Sequence, residues 1–146
     1  MAHDNDHKSC VHGWMDRAAR GLPPERLTLA FEQAFAALWR RAQQTLGEVT
    51  LAAITDRVLF TAAEQFPDLG SLRIDADGLS CEELRTRARS LEPDDLAEGI
   101  RFVLIEFLTV LGNLTGEILT PALHSELSNV APLPNPESKD GEGASS

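Results

Sequence analysis

Residues 100–119 read IRFVLIEFLTVLGNLTGEIL, and no other stretch constrains the chain as strongly. Twenty mainly apolar residues are long enough to span a bilayer. Arg101, Glu106, Asn113 and Glu117 interrupt them, however. A carboxylate near mid-bilayer costs about 2.5–3.5 kcal/mol on insertion scales. The interruptions are also ordered. At about 100° per residue, Ile100, Val103, Leu104, Phe107, Leu108, Leu111, Leu114 and Ile118 share one side. Glu106, Thr109, Asn113 and Glu117 share the other. The stretch is an amphipathic helix with an apolar face about half its circumference wide, and membrane insertion is not expected.

Phe102 and Ile105 leave that stripe and point toward Thr109, Gly112 and Gly116. The two glycines have the small-residue spacing that lets helices approach closely. Together these five residues form an expected second packing surface, joined by Trp39 at the edge of another helix. It is expected to contact a further helix of the chain or another protein. The plainer alternative is that Gly112 ends or bends the helix.

Helical periodicity recurs along most of the chain. Val11, Trp14, Met15, Ala18, Ala19 and Leu22 repeat at helical spacing, with Gly21 and Pro23-Pro24 as stops. Pro24 and Glu25 then suit the first turn of a long helix with the stripe Leu27, Phe31, Ala34, Phe35, Leu38, Ala42 and Leu46. Gly47 breaks it. A helix over residues 49–66 carries a broader apolar surface, including Leu51, Ile54, Val58, Leu59 and Phe66, which implies burial on more than one side. Pro67 stops it. Leu72 and Ile74 alternate with polar residues and Asp77-Gly78 marks a turn, so an extended connection is expected near residues 67–79. Ser80 and Glu83 match a capping box for a short helix reaching about Ser90. Pro93, Asp94 and Asp95 start the final helix, with Leu91 and Leu96 as a staple. That helix is expected to run to about Asn129, bent near Gly112-Asn113 or at Pro121.

These elements predict one all-α domain over residues 11–130, a bundle of four to five helices. A flexible His/Asp-rich tail is expected at 1–10 and a disordered Pro/Gly/Ser-rich tail at 131–146. With 23 acidic and 13 basic residues the chain carries a formal net charge of −10. Such a chain is repelled by phosphate backbones and anionic lipid, so neither nucleic acid nor a membrane is expected as partner. Two distant cysteines, Cys10 and Cys81, form no disulfide framework. The opening MAHDNDHKSC lacks the apolar core of a secretory signal. A reducing, cytoplasmic setting is expected.

Candidate chemistry is sparse. His3, His7, Cys10 and His12 are suitable metal ligands by type, but their spacing matches no structural zinc pattern. Asp75-Ala76-Asp77-Gly78 fails as a calcium loop, because Arg73 and Leu84 fall where ligands are required. Cys81 lies at a helix start, which lowers a thiol pKa, while Glu82 and Glu83 raise it. His124 is a lone histidine on the last helix. No nucleophile elbow, phosphate loop or dinucleotide fingerprint is present, and Glu106 and Glu117 lack the Glu-x-x-His partners of a di-iron bundle. No enzymatic activity and no cofactor are expected.

The run from Ile54 to Leu127, with its Phe66-Pro67 helix end, LRIDADGL, LEPDDL and FLTVLGNLTGEIL, resembles small helical regions found beside sensor histidine kinases and RecA-type ATPases of prokaryotic signalling proteins. It covers about half the chain and includes no catalytic motif. The resemblance implies a regulatory or docking module. The expected function is therefore a self-associating adaptor, partnered by itself as a homodimer and by a signalling protein. Two other readings stand beside it. One is a sensor holding a small apolar ligand among Phe31, Phe35, Phe60 and Phe107, near His124 and Cys81. The other is a metal-binding protein using the N-terminal His/Cys cluster.

Overall fold

The computed structural model describes the backbone of residues 2–75 and 78–130 and the side chains of residues 6–74 and 79–130. The tail expected at 131–146 and the tip of the turn at Asp77 lie outside the described residues. The described chain is all-α, with six helices: α1 (Ala2–Trp14), α2 (Pro24–Leu46), α3 (Glu48–Gln65), α4 (Glu82–Arg87), α5 (Pro93–Leu114) and α6 (Thr120–Asn129). A two-stranded antiparallel hairpin, β1 (Arg73–Asp75) and β2 (Gly78–Ser80), fills the expected extended connection. A 3-10 segment, Pro67–Ser71, precedes it.

α2 is the central helix and packs against α3, α4, α5 and α6. Its buried side is wider than the sequence stripe, because Thr28, Ala30, Ala37 and Trp39 are buried as well as Leu27, Phe31, Phe35 and Leu38. Phe35 meets Phe31 edge-on and lies 4.5 Å, centroid to centroid, from Phe107 of α5. Each fully buried aromatic or leucine here contributes about 1.5–3 kcal/mol relative to exposure. Gly47 joins α2 directly to α3. Its φ of 85° suits glycine, its N–H donates to Gln43 O, and its carbonyl accepts from Leu51 N–H.

The departures from expectation, an upstream extension of the first helix and one extra helix, arise where the sequence pattern is weakest. The mobile tail expected at 1–10 is instead the start of α1. Its inner side uses His7 and Cys10 in line with Val11 and Trp14, so the anchoring groups are polar and hydropathy periodicity passes over them. The expected single helix to Asn129 is cut at residues 115–119. Gly116 adopts φ 60° and Glu117 φ 67°. Glu117 N–H donates to Gly112 O at 2.7 Å and Gly116 N–H to Asn113 O at 3.4 Å, the paired bonds of a Schellman stop. The break lies at Gly116, not at Gly112-Asn113 or Pro121.

The expected Ser80–Glu83 capping box is absent, since Ser80 pairs with Arg73 in the hairpin and Cys81 takes the N-cap position. The start of α4 is held by Glu32 of α2, which accepts from Cys81 N–H at 3.2 Å and from Arg85 at 2.8 Å. Pro93, Asp94 and Asp95 occupy the first turn of α5 as expected.

Candidate functional site

α5 is held between α1 on one flank and α3 on the other. Its inner side supplies Ile100, Val103, Leu104, Phe107, Leu108 and Leu111 to the core. Its outer side leaves a ridge with a groove along each edge. On the α1 edge a groove of about 370 Å³ is lined by Phe66, Phe102, Ile105 and Thr109, with Lys8 and Glu98 at its rim. Phe102 is half-buried there because its ring rests 5.8 Å from that of Phe66. Thr109 donates its hydroxyl to Ile105 O of its own helix at 2.8 Å. On the α3 edge a groove of about 360 Å³ is lined by Ile54, Val58, Val110 and Leu114, between Arg57 and Glu106.

Of the six residues expected to form a packing surface, three come together in this way: Phe102, Ile105 and Thr109. The other three do not. Trp39 is buried against Phe35 in the core, with no face left for a partner. Gly112 is covered by its own chain: a side chain there would meet Glu117 Oε1 at 2.7 Å and Thr120 Oγ1 at 3.0 Å. Gly116 belongs to the helix stop. The glycine ledge is therefore occupied from within the subunit.

Leu114 and Ile118, which the sequence stripe placed inside, are found outside, as is Phe60, expected in a ligand-holding interior. Val49 is 85 % exposed, Phe60 68 %, Leu114 61 % and Ile118 84 %. Ile118 fits the stripe only if the helix continues through Gly116, and it does not; Leu114 is the last residue of α5 and keeps its place on the stripe, but is exposed there. Phe60, expected among the aromatics of a ligand-holding interior, projects from α3 into solvent. The available signal for it was the breadth of the apolar surface on α3. The remaining aromatics of that interior, Phe31, Phe35 and Phe107, lie against one another.

A second cluster is polar and partly buried. His7 of α1 is buried, and its Nδ1 lies 2.9 Å from Nε2 of His124 on α6, one ring donating and the other accepting. The rings meet edge-to-face. Cys10 Sγ donates to His124 O at 3.8 Å. Glu117 Oε1 accepts from Thr120 Oγ1 and stands 3.9 Å from His7 Nε2. Burial pushes His124 below the ordinary histidine value; His7 adds to that, while Asp6 and Glu117 oppose it. Burial likewise raises the Cys10 thiol, against the hydrogen bond to Ser128 and the charge of Arg17. The histidines expected as metal ligands are thus directed differently: His7 turns to α6 and His12 is exposed. The side chain of His3 lies outside the described residues. Among the described residues no three His, Cys, Asp or Glu side chains converge as a metal site. The cluster joins α1 to α6.

Cys81 is fully buried rather than poised at an accessible helix start. Burial first, then the nearby Glu32 charge, drives its thiol far above the ordinary range, and Arg85 only partly offsets this. Among the described residues no helix is long and apolar enough to cross a membrane.

No family model matches the chain, and no curated protein and no solved structure matches it. The fold and the site therefore define its class by themselves: an all-α helical bundle with an incompletely covered pair of helices, α3 and α5.

Proposed function

We propose that the protein is a non-enzymatic interaction module of a prokaryotic signalling system, acting in the cytoplasm, that associates with itself and docks on a signalling protein through the outer sides of α3 and α5. One observation carries this reading. The core closes around α2 and α5, yet Val49, Phe60, Leu114 and Ile118 stay exposed and two apolar-lined grooves flank α5. Scattered exposed apolar side chains are ordinary, but exposed apolar surface at a groove, as at Leu114, marks an interaction surface. The groove holding Phe102 and Ile105 suits the apolar edge of an amphipathic helix from a partner. The resemblance of residues 54–127 to helical regions beside sensor kinases and signalling ATPases supports the signalling context.

The test is light scattering across a wide concentration range, with co-purification from native cells. Phe60→Glu is expected to lower the self-associated fraction. Phe102→Glu and Ile105→Glu are expected to abolish recovery of a kinase, response regulator or ATPase identified by mass spectrometry. A strict monomer at high concentration, with co-purified proteins unchanged by all three substitutions, refutes the reading.

A further inference from the structure

The exposed side of α3 has an internal symmetry that neither groove has. Val49, Ala53, Asp56, Arg57, Phe60 and Glu64 are all exposed. At about 100° per residue they fall within an arc of about 100°. They are also evenly disposed about a point midway between Asp56 and Arg57. Ala53 and Phe60 are equidistant from it, as are Val49 and Glu64.

We propose that this face is the self-association surface, and that its occupant is a second copy of α3 lying antiparallel across a two-fold axis at that midpoint. The proposal rests on the interaction-module reading and names the partner of one of its surfaces. A two-fold interface must be complementary to itself, and this one is so in size and in charge. Each Phe60 ring covers the small Ala53 of the second copy, about 10 Å along the helix from its own Ala53. Val49 lies along the methylene groups of the facing Glu64. At the centre, Asp56 of each copy faces Arg57 of the other, giving two ion pairs. Among the described residues neither Asp56 nor Arg57 forms an ion pair within the subunit, so both charges are available. The parallel arrangement lacks this fit: it sets Phe60 on Phe60 and Asp56 on Asp56. The central pairs also matter for a chain of net charge −10, since they place a locally neutral strip where two acidic subunits meet.

The test uses charge exchange in the full chain. Asp56→Arg alone brings the introduced arginine against Arg57 of the second copy. Arg57→Asp alone brings two carboxylates together. Each is expected to weaken self-association about tenfold, as judged by sedimentation equilibrium at low salt. Mixing the two variants is expected to restore association as a mixed dimer, and the double exchange Asp56→Arg/Arg57→Asp is expected to restore the homodimer. All three variants alter exposed positions, and their melting temperatures, matched to wild type, establish folding. Variants that associate like wild type, or a mixture as weak as each variant alone, overturn the antiparallel α3 register. If Phe60→Glu still disperses the protein in that case, the interaction-module reading stands without this register. A wild type that is monomeric throughout overturns the register directly.

Discussion

Replacing Gly116 by alanine is expected to lower the stability of the fold by about 1 kcal/mol and leave its self-association untouched. Gly116 sits at φ 60°, where an L-residue pays about 1–2 kcal/mol for crowding between its Cβ and the backbone. Alanine also reduces the freedom of the unfolded chain, which returns about 0.4–1 kcal/mol. No steric contact adds to the sum, because a Cβ built at Gly116 meets nothing within 4 Å. The upper bound is set by the stop itself. If the turn unwinds, the bonds from Glu117 N–H to Gly112 O and from Gly116 N–H to Asn113 O go with it, at about 1 kcal/mol each.

For a chain of this length 1 kcal/mol corresponds to a shift of about 4 °C in melting temperature. A series separates the causes. Asparagine, which visits this backbone region readily, should cost less than alanine, and β-branched valine should cost more. Thermal melts followed by circular dichroism and urea titrations at constant m-value read the order, and light scattering on the same samples reads the oligomer. If alanine and valine melt with the wild type, or if they change self-association at unchanged stability, Gly116 is not the helix stop. The small-residue spacing of Gly112 and Gly116 then serves contact between molecules after all.

Two further outcomes follow from the buried titratable groups. His124 is held below the ordinary histidine value of 6.5 by burial and then by His7. Between 6.5 and its lowered native value the unfolded chain therefore binds more protons than the native one. Stability is unaffected by this group above about pH 6.5 and falls as the pH is lowered through that window. Urea midpoints measured from pH 7.5 to 5.0 should show this slope in the wild type and a reduced slope in His124→Gln; equal slopes refute it. The raised, buried thiol of Cys81 should resist thiol reagents in the native protein at pH 8, with half-buried Cys10 reacting first and both reacting at once in denaturant. Labelling of Cys81 as fast as of Cys10 refutes the account.

The parts of the fold that were legible in the sequence are those in which one continuous helix buries apolar groups. α2 and α3 begin and end where Pro24, Gly47 and Pro67 mark them, and α5 begins at Pro93. Extrapolation failed where a helix was anchored by polar contacts or was interrupted. His7 and Cys10 fasten α1 to α6 through hydrogen bonds, so a polar segment with little apolar periodicity is still held in place. At Gly116 the backbone turns, and the helical angles of Ile118 and everything beyond no longer continue those of Leu111. The same reset explains the site. Phe102, Ile105 and Thr109 lie upstream of the break and stay together on one edge of α5, while Gly116 itself becomes the turn. Trp39 was placed at a surface edge because one stripe was assigned to α2, whereas α3, α4, α5, α6, β2 and the segments Met15–Ala19 and Ala88–Ser90 all pack against it.

That distribution of neighbours accounts for the bare side of α3. α1 and α6 are spent on α5 and α2: α1 packs on α5 and α6, and α6 on α2, α1 and α5. α3 receives α2, α5, the 3-10 segment and β1 as its main contacts, all on the side bearing Leu51, Thr55, Val58 and Ala62. A helix at the edge of a bundle ordinarily turns a wholly polar face to water. Here the outer arc alternates instead, with Val49, Ala53 and Phe60 set among Asp56, Arg57 and Glu64. Burying a phenylalanine is worth about 1.5–3 kcal/mol, so leaving Phe60 68 % exposed forgoes a gain that a polar residue would not. Stability of the lone subunit gives no reason for that placement; the proposed contact with a second copy supplies one.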